Sequence, residues 1–481
     1  MTKTVFSAAL VASILATATV AAQWQPFPPP EKTPMPAPAP EAKPTPAPAA
    51  APAAKPAAPA QETMPVVTIG KTEISMSGFV RLRSTSTFDY EIDSALLTDE
   101  SRTFMDARSY LTLQAKHGPI LGVLSLDLAG DDFNDGVKWG NPGNPGYQST
   151  WNVQTRLAYI QWNTKHVNLL FGRMPARLGN GIVANVNRDA GRIIFKTGIG
   201  NFVGTAVKGA DDRTVPGTEG GLDAYILLYT GKPYKKGTTN LNYQAWIGKQ
   251  DPTENPGKPL YPSKLIVGTS FDLKLDKLML KLEGNYLGGD SGGAKAAIRD
   301  NEAGMLWLDS DYQVSKKVAL GAMFGYGTGD NNPADDTQHN FQAFFLDENA
   351  YTYTNIYSDD LHGFRGAFPG SVNFGSGFAN TMFFQAHVRA QLNPKTELTG
   401  SYTYLHANKA QKVGAGPIGN RSTTQTATTQ DIGHEIDANV SYKIVPAATL
   451  WLRTGLLLTG DLWGKDASDV GKVEAFIELK F

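Results

Sequence analysis

Residues 381–392 read Thr-Met-Phe-Phe-Gln-Ala-His-Val-Arg-Ala-Gln-Leu. Met382, Phe384, Ala386, Val388, Ala390 and Leu392 share one parity, and Thr381, Gln385, His387, Arg389 and Gln391 share the other. Side chains alternate across a β-strand, so this spacing predicts one apolar face and one polar, ionic face. A soluble sandwich needs a dry inner face, whereas the lumen of a membrane barrel is wet and its outside is apolar. The apolar parity therefore points to lipid and the ionic parity to water.

The same period recurs through residues 66–481. Ile74, Met76, Val80 and Leu82 oppose Ser75, Ser77, Arg81 and Arg83. Met105, Ala107, Leu111 and Leu113 oppose Asp106, Arg108, Tyr110 and Thr112. Leu278, Leu280 and Leu282 oppose Lys281 and Glu283, and Ile436, Ala438 and Val440 oppose Glu435, Asp437 and Asn439. Val473, Ala475, Ile477, Leu479 and the terminal Phe481 share one face of the last segment. A terminal aromatic on such a strand resembles the assembly signal of bacterial outer-membrane barrels, so Phe481 is the candidate for that signal and the barrel-assembly machinery is an expected partner.

Segments of this kind predict an all-β fold, a transmembrane antiparallel β-barrel of about 18 strands, in the range where the lumen admits an aqueous channel. The sixth strand is expected to begin near residue 191. Tyr159, Tyr286, Tyr326 and Tyr442 are placed near strand ends as an aromatic girdle. Tight turns at Gly118-Pro119, Pro394-Lys395 and Pro446-Ala447 are expected on the periplasmic side. The long stretches 130–151, 174–190, 209–221, 288–301, 329–376 and 407–430 are expected to face outward.

Composition agrees. The chain has 481 residues, 44 Lys plus Arg against 45 Asp plus Glu, and no Cys. A net charge of −1 gives no electrostatic case for nucleic acid. Lack of Cys excludes a disulfide scaffold, a thiolate zinc site, a cysteine nucleophile and c-type haem attachment. Fifteen of the 30 prolines lie between Pro26 and Pro65. Residues 1–22 read as a cleavable signal peptide, with Lys3, an apolar run from Val5 to Val20 and small residues Val20 and Ala22 before the cut. Residues 23–65 have no apolar periodicity and read as a disordered, Pro/Ala-rich periplasmic spacer, available for contact with a periplasmic partner or the cell wall.

The run from Tyr326 through Gly-Thr-Gly-Asp-Asn-Asn-Pro-Ala-Asp-Asp336, on to Asn340-Phe341 and Asn349-Ala350-Tyr351, resembles a segment of the alginate-export family of outer-membrane porins. Ile432-Gly-His-Glu-Ile-Asp437, with Tyr442, Leu450 and Gly460 after it, is similar to the same family. So are Phe171-Gly-Arg-Met174, Gly179-Asn-Gly181 and Asn187-Arg-Asp189. The resemblance implies an 18-stranded outer-membrane barrel with a constricted, charged pore. It does not extend to alginate as the cargo.

Pore-lining candidates are the cations Arg81, Arg83, Arg108, Arg156, Arg173, Arg389 and Arg453, with Asp106, Glu283, Glu435 and Asp437 among them. Arg177, Arg188 and Arg192 are candidates for a loop constriction. Fixed cations in a narrow lumen lower the barrier for anions. Both signs share the face, so a wall-stiffening ion-pair network competes with that reading. Asp330, Asp335 and Asp336 offer oxygen ligands to Ca²⁺ but lack the central Gly and flanking helices of an EF-hand, so no metal is assigned. Gly289-Asp-Ser-Gly-Gly293 reads as a turn without a His partner, and His434-Glu435 lacks the second His of a zincin site. No catalytic residue and no cofactor are assigned, and the chain is read as no enzyme.

These observations point to an outer-membrane porin for small hydrophilic solutes, anions among them, surrounded by outer-membrane lipid. Two other classes are a barrel sheath around a partner such as an electron-conduit cytochrome and, with less support, a barrel hydrolase.

Overall fold

The computed structural model describes residues 66–88, 102–128, 137–139, 153–211, 221–252, 263–290, 300–330, 336–344, 351–362, 378–412, 427–463 and 468–481. The export segment at 1–22, the spacer at 23–65 and Asp335 lie outside them.

Eighteen long strands follow one another in chain order among the described residues. They are β1 Thr72–Phe88, β2 Arg102–His117, β3 Ile120–Asp127, β4 Gln154–Asn163, β5 Val167–Leu178 and β6 Ala184–Lys196. Next come β7 Gly200–Asp211, β8 Gly221–Gly231, β9 Thr239–Pro252, β10 Lys264–Leu275, β11 Leu278–Asp290 and β12 Asp300–Gln313. The last are β13 Val318–Gly327, β14 Thr381–Asn393, β15 Thr396–Lys412, β16 Thr428–Val445, β17 Ala448–Thr459 and β18 Val470–Lys480. Each pairs antiparallel with its neighbours, and β18 pairs back onto β1 from Phe79↔Lys480 to Phe88↔Gly471. The sheet is thus a closed barrel with no free long edge, the arrangement that lets strands cross lipid without unpaired backbone groups. Four short segments, Val66–Ile69, Val137–Trp139, Tyr234–Lys236 and Thr337–Gln338, pair onto the ring.

Two-residue turns at Gly118-Pro119, Asp276-Lys277, Pro394-Lys395 and Pro446-Ala447 close one rim. The positive φ of Gly118 (55°) and Asp276 (42°) supplies the tight reversal there. The C-terminus closes the same rim. Gly78 donates its N–H to the Phe481 carbonyl at 2.8 Å, and Phe481 donates back at 3.1 Å.

The outward face is apolar as the alternation demands. Val80, Leu82, Ile160, Phe171, Leu227, Phe384 and Ile436 are exposed to the surroundings. Tyr286 and Tyr442 lie on this face too. Tyr159 does not. It alternates with the exposed Ile160 and sits opposite the buried Val123, so it points into the lumen.

Two stretches expected to be outer loops are different. Most of 174–190 is strand, because β5 runs to Leu178 and β6 begins at Ala184 rather than near 191. Within 329–376, the described residues 336–344 and 351–362 turn back into the barrel, where Phe341, Phe344, Tyr353, Ile356 and Tyr357 are buried. They join the inward side chains Leu178, Val183, Ala224, Trp246, Ile266, Trp307, Phe383 and Leu457 in one apolar cluster. The inner face is therefore ionic on one part of the wall and apolar on another.

Candidate functional site

The ionic wall is built by β17, β18, β1, β2 and β3. Arg83 donates Nε to Asp106 at 2.7 Å and Nη1 to Glu474 at 3.2 Å. Arg453 reaches Glu474 at 3.1 Å, and Arg108 reaches Asp127 at 2.9 Å. Arg81 stands directly opposite Arg108 across the β1–β2 pair. Like charges in that position destabilise a sheet, and here Asp106 and Asp127 offset the cost.

Arg81 has no carboxylate within ion-pair distance among the described residues. Its guanidinium lies 5.8 Å from the Phe476 ring. Arg156 behaves likewise, with its guanidinium 4.4 Å over the Tyr110 ring, which itself meets Phe79 edge-on at 4.1 Å. Arg192 gives its protons to Thr205 Oγ1 at 3.1 Å and the Pro175 carbonyl at 2.8 Å. Three cations therefore project into the bore from β1, β4 and β6 without an ion pair among the described residues, Arg81 standing opposite Glu478 across the β1–β18 pair.

Arg156 reaches the lumen through a bulge. β3 and β4 pair Ser125 with Leu157 and then Leu126 with Thr155, which leaves Arg156 as the extra residue. A bulge re-aims a side chain off the strict alternation.

Arg173 and Arg177 are not where the sequence places them. They alternate with the buried Leu170, Met174, Ala176 and Leu178, and so share the outward face with Phe171. Arg173 sits opposite Asp189, and Arg177 donates to the Asn180 carbonyl at 2.9 Å. Arg188 is buried opposite Met174 on the inner face. Arg389 is lumenal but tied down, at 3.2 Å from Asp311, which also meets His387 at 3.1 Å. Asp272 and Asp309 join Asp311 on this part of the wall, where β10 and β12 stand across the ring from β1 and β3.

The three remaining carboxylate candidates, Glu283, Glu435 and Asp437, meet loop residues inside the barrel. Glu283 on β11 accepts the backbone N–H of Asn180 at 2.6 Å, so the β5–β6 tip crosses the lumen to reach it. Glu435 on β16 accepts the backbone N–H groups of Ile356 at 2.6 Å and Tyr357 at 2.9 Å. Around Glu435, Asn355 receives Arg453 at 2.6 Å and Lys472 at 3.1 Å, and Asp437 lies 3.4 Å from the Asn355 nitrogen. Lys472 also holds Asp359 at 3.0 Å. Tyr353 stacks on Phe383 at 3.8 Å, and Tyr351 meets Trp307 edge-on at 5.4 Å. Phe344 donates to the Val183 carbonyl at 2.9 Å, joining the two lumen-folded loops.

Sequence reasoning missed Lys472, Asp127 and Asp311 as members of these networks. Lys472 sits between Val470 and Val473 near an expected strand start, and only its even numbering with Glu474 signals an inward direction. Asp330 keeps its backbone N–H on Asn340 at 3.0 Å, and the Asp336 carbonyl accepts from Asp300 at 2.8 Å.

The sequence pattern described as Alginate export matches residues 212–474, more than half of the chain. The chain belongs to the alginate export family. Members of this family are export channels or porins without enzymatic activity. No curated sequence matches the chain. Among solved structures, this alginate export family barrel is similar to Pseudomonas aeruginosa OccK9 (OpdG), with 12% identity, a TM-score of 0.51, and coverage of 85% of this chain and 98% of that one. It is also similar to Acinetobacter baumannii OccAB1, with 12% identity, a TM-score of 0.51, and coverage of 85% and 96%. The shared fold is the outer-membrane porin barrel, and the outer membrane is where this family member resides.

Proposed function

We propose that this porin passes small hydrophilic solutes through a bore that favours anions. The observation that carries the reading is the set of inward guanidiniums of Arg81, Arg156 and Arg192, none of them in an ion pair among the described residues. Each keeps its positive field in the bore, where a low-dielectric wall makes it felt at short range. The Arg83–Glu474–Arg453 network next to them supports the wall and not the selectivity, since its charges are already paired. A sheath for a partner protein needs an empty bore, and this one holds loops of the chain itself.

Val66–Ile69 pairs with β1 at the rim of tight turns, which supports a periplasmic position for the preceding spacer. Phe481 at that same rim supports its reading as the assembly signal. The test of the channel is reversal potential in a potassium chloride gradient across a planar bilayer. Anion preference that vanishes when Arg81, Arg156 and Arg192 are all changed to Ala supports the reading, and cation preference in the unaltered protein overturns it.

A further inference from the structure

The two loops inside the barrel arrive from different hairpins and are held in the same way. The β5–β6 tip gives the Asn180 N–H to Glu283, six strands away around the ring from β5. The loop between β13 and β14 gives the Ile356 and Tyr357 N–H groups to Glu435. Both carboxylates are fully buried, and neither has a Lys or Arg within ion-pair distance among the described residues. In place of a cation, Glu283 takes one backbone N–H of a loop together with the Asn285 amide at 3.1 Å, and Glu435 takes two backbone N–H groups. A buried carboxylate without those donors loses the groups that satisfy its lone pairs, so carboxylate and loop hold each other.

The neighbouring residues are shaped to let the loops in. An ideal Cβ at Gly455 on β17 lies 3.0 Å from Ile356 Cγ1, so the absent side chain is the seat of Ile356. An ideal Cβ at Gly179 would collide with Glu283 Oε2 and lie 2.6 Å from the Trp246 ring, and its φ is +52°. Only glycine brings the tip that close to Glu283. The Phe344–Val183 hydrogen bond then joins the two loops, so they cross the lumen as one bar from β5 to β18.

We infer that Glu283 and Glu435 are positioning residues that set the open cross-section of the bore by suspending these two loops. The inference rests on the channel reading above, but it concerns size and not charge preference. Solutes pass in the space left between the suspended loops and the Arg81–Arg108–Arg156 wall. Glu283 and Glu435 touch no solute. They act through the loop they hold.

The experiment uses the full chain reconstituted in planar bilayers, with neutral polyethylene glycols of graded size as probes of the bore. Glu435→Ala and Glu283→Ala are each expected to raise single-channel conductance about twofold and to admit larger polymers. Glu283→Gln keeps an acceptor oxygen for Asn180 and is expected to behave as the unaltered protein. The chain has no Cys, so I356C/G455C gives a background-free staple, with the Gly455 Cβ position 3.0 Å from Ile356 Cγ1, where a sulfur at 356 would sit. In the Glu435→Ala background the oxidised staple is expected to return conductance to the original level, and reduction to raise it again. Conductance unchanged by Glu435→Ala and Glu283→Ala, or raised but not reversed by the staple, overturns the inference while leaving the channel intact. An unaltered protein that conducts nothing overturns the channel reading instead. In that case staple yield in membranes still reports loop position, and equal yield with Glu or Ala at 435 overturns the suspension as well.

Discussion

Arg81 and Arg108 face each other across the first two strands, and of the two only Arg108 makes an ion pair among the described residues, with Asp127 at 2.9 Å. The pair therefore separates two roles that the sequence presents as one. Arg81 contributes a charge held in no ion pair to the bore, and Arg108 contributes a charge already paired. Arg81→Ala is expected to lower the chloride-to-potassium permeability ratio about twofold, and Arg108→Ala to change it less. Reversal potentials measured at 0.1 M salt and again at 1 M check this, because screening at the higher salt should shrink the Arg81 effect. Equal effects of the two changes would remove the distinction.

Arg156 is expected to tolerate Lys better than Ala in selectivity, since Lys retains the charge. The ring contact with Tyr110 favours the flat guanidinium by about 0.5–1 kcal/mol, so Arg156→Lys should cost a little stability with little change in ion preference. Tyr110→Leu is the control. It removes the ring and should lower stability without changing the sign of selectivity. Denaturant midpoints alongside reversal potentials read both.

The strand pattern was legible because outward side chains contact lipid along the whole barrel, so a period of two survives from Ile74 to Phe481. The face assignment failed where its premise failed. Residue type marks the inside only while the inside is wet. Beside the lumen loops, Met174, Ala176 and Leu178 point inward and are buried, so the polar Arg173 and Arg177 fall on the outside. Tyr159 was misread for the related reason that an aromatic near a strand end looks the same on either face. The bulge that leaves Arg156 unpaired involves Ser125 and Leu126 on a different strand, and no local signal in β4 announces it. Glu283 and Glu435 were visible as inward carboxylates, but their partners are backbone groups of distant loops. Loops carry no period, so that part of the site was illegible.

Gly179 tests the loop seat from the other side. Gly179→Ala meets a left-handed φ and would drive a methyl group into Glu283 and Trp246. The backbone strain alone is about 1–2 kcal/mol. The barrel strands do not depend on this tip, so the expected outcome is a displaced tip, a wider bore and a nearly unchanged unfolding midpoint. Protease accessibility at the tip, compared with the intact barrel, measures it. A variant with unaltered conductance and an unaltered cleavage pattern would mean that the tip accommodates a side chain and is not seated by glycine.

Phe481 supplies a prediction about assembly. An ideal Cβ at Gly78 lies 2.8 Å from the Phe481 ring, so the ring occupies the space beside that glycine where β1 and the chain end meet. The ring is half-exposed, and its removal should cost only about 1–2 kcal/mol in the finished barrel. Phe481→Ala is therefore expected to refold in detergent almost normally while accumulating poorly in the outer membrane of living cells. Gel mobility before and after heating separates folded from unfolded chain in both settings. An equal loss in both would make Phe481 a packing residue and no more.

Glu474 is the point at which selectivity and stability should move in opposite directions. It is buried, and it meets Arg83 at 3.2 Å, Arg453 at 3.1 Å and Lys472 at 3.5 Å. Glu474→Gln keeps the shape and removes the one negative charge that these three cations share. Breaking a buried pair by removing one partner typically costs about 3–5 kcal/mol, because the charge left behind is uncompensated. Asp106 still pairs with Arg83 and Asp359 with Lys472, which places the expected loss toward the lower end, near 3 kcal/mol. The cations that remain add positive field to the lumen, so anion preference should rise as the unfolding midpoint falls. Arg81→Ala lowers anion preference and, breaking no ion pair among the described residues and leaving the opposite Glu478 paired with Lys480 at 2.7 Å, should leave the midpoint almost where it was. The two variants measured together distinguish a wall whose paired charges are scaffold and whose unpaired charges face the solute from one in which every lumenal charge does both. A parallel fall of selectivity and stability in both variants would support the second arrangement.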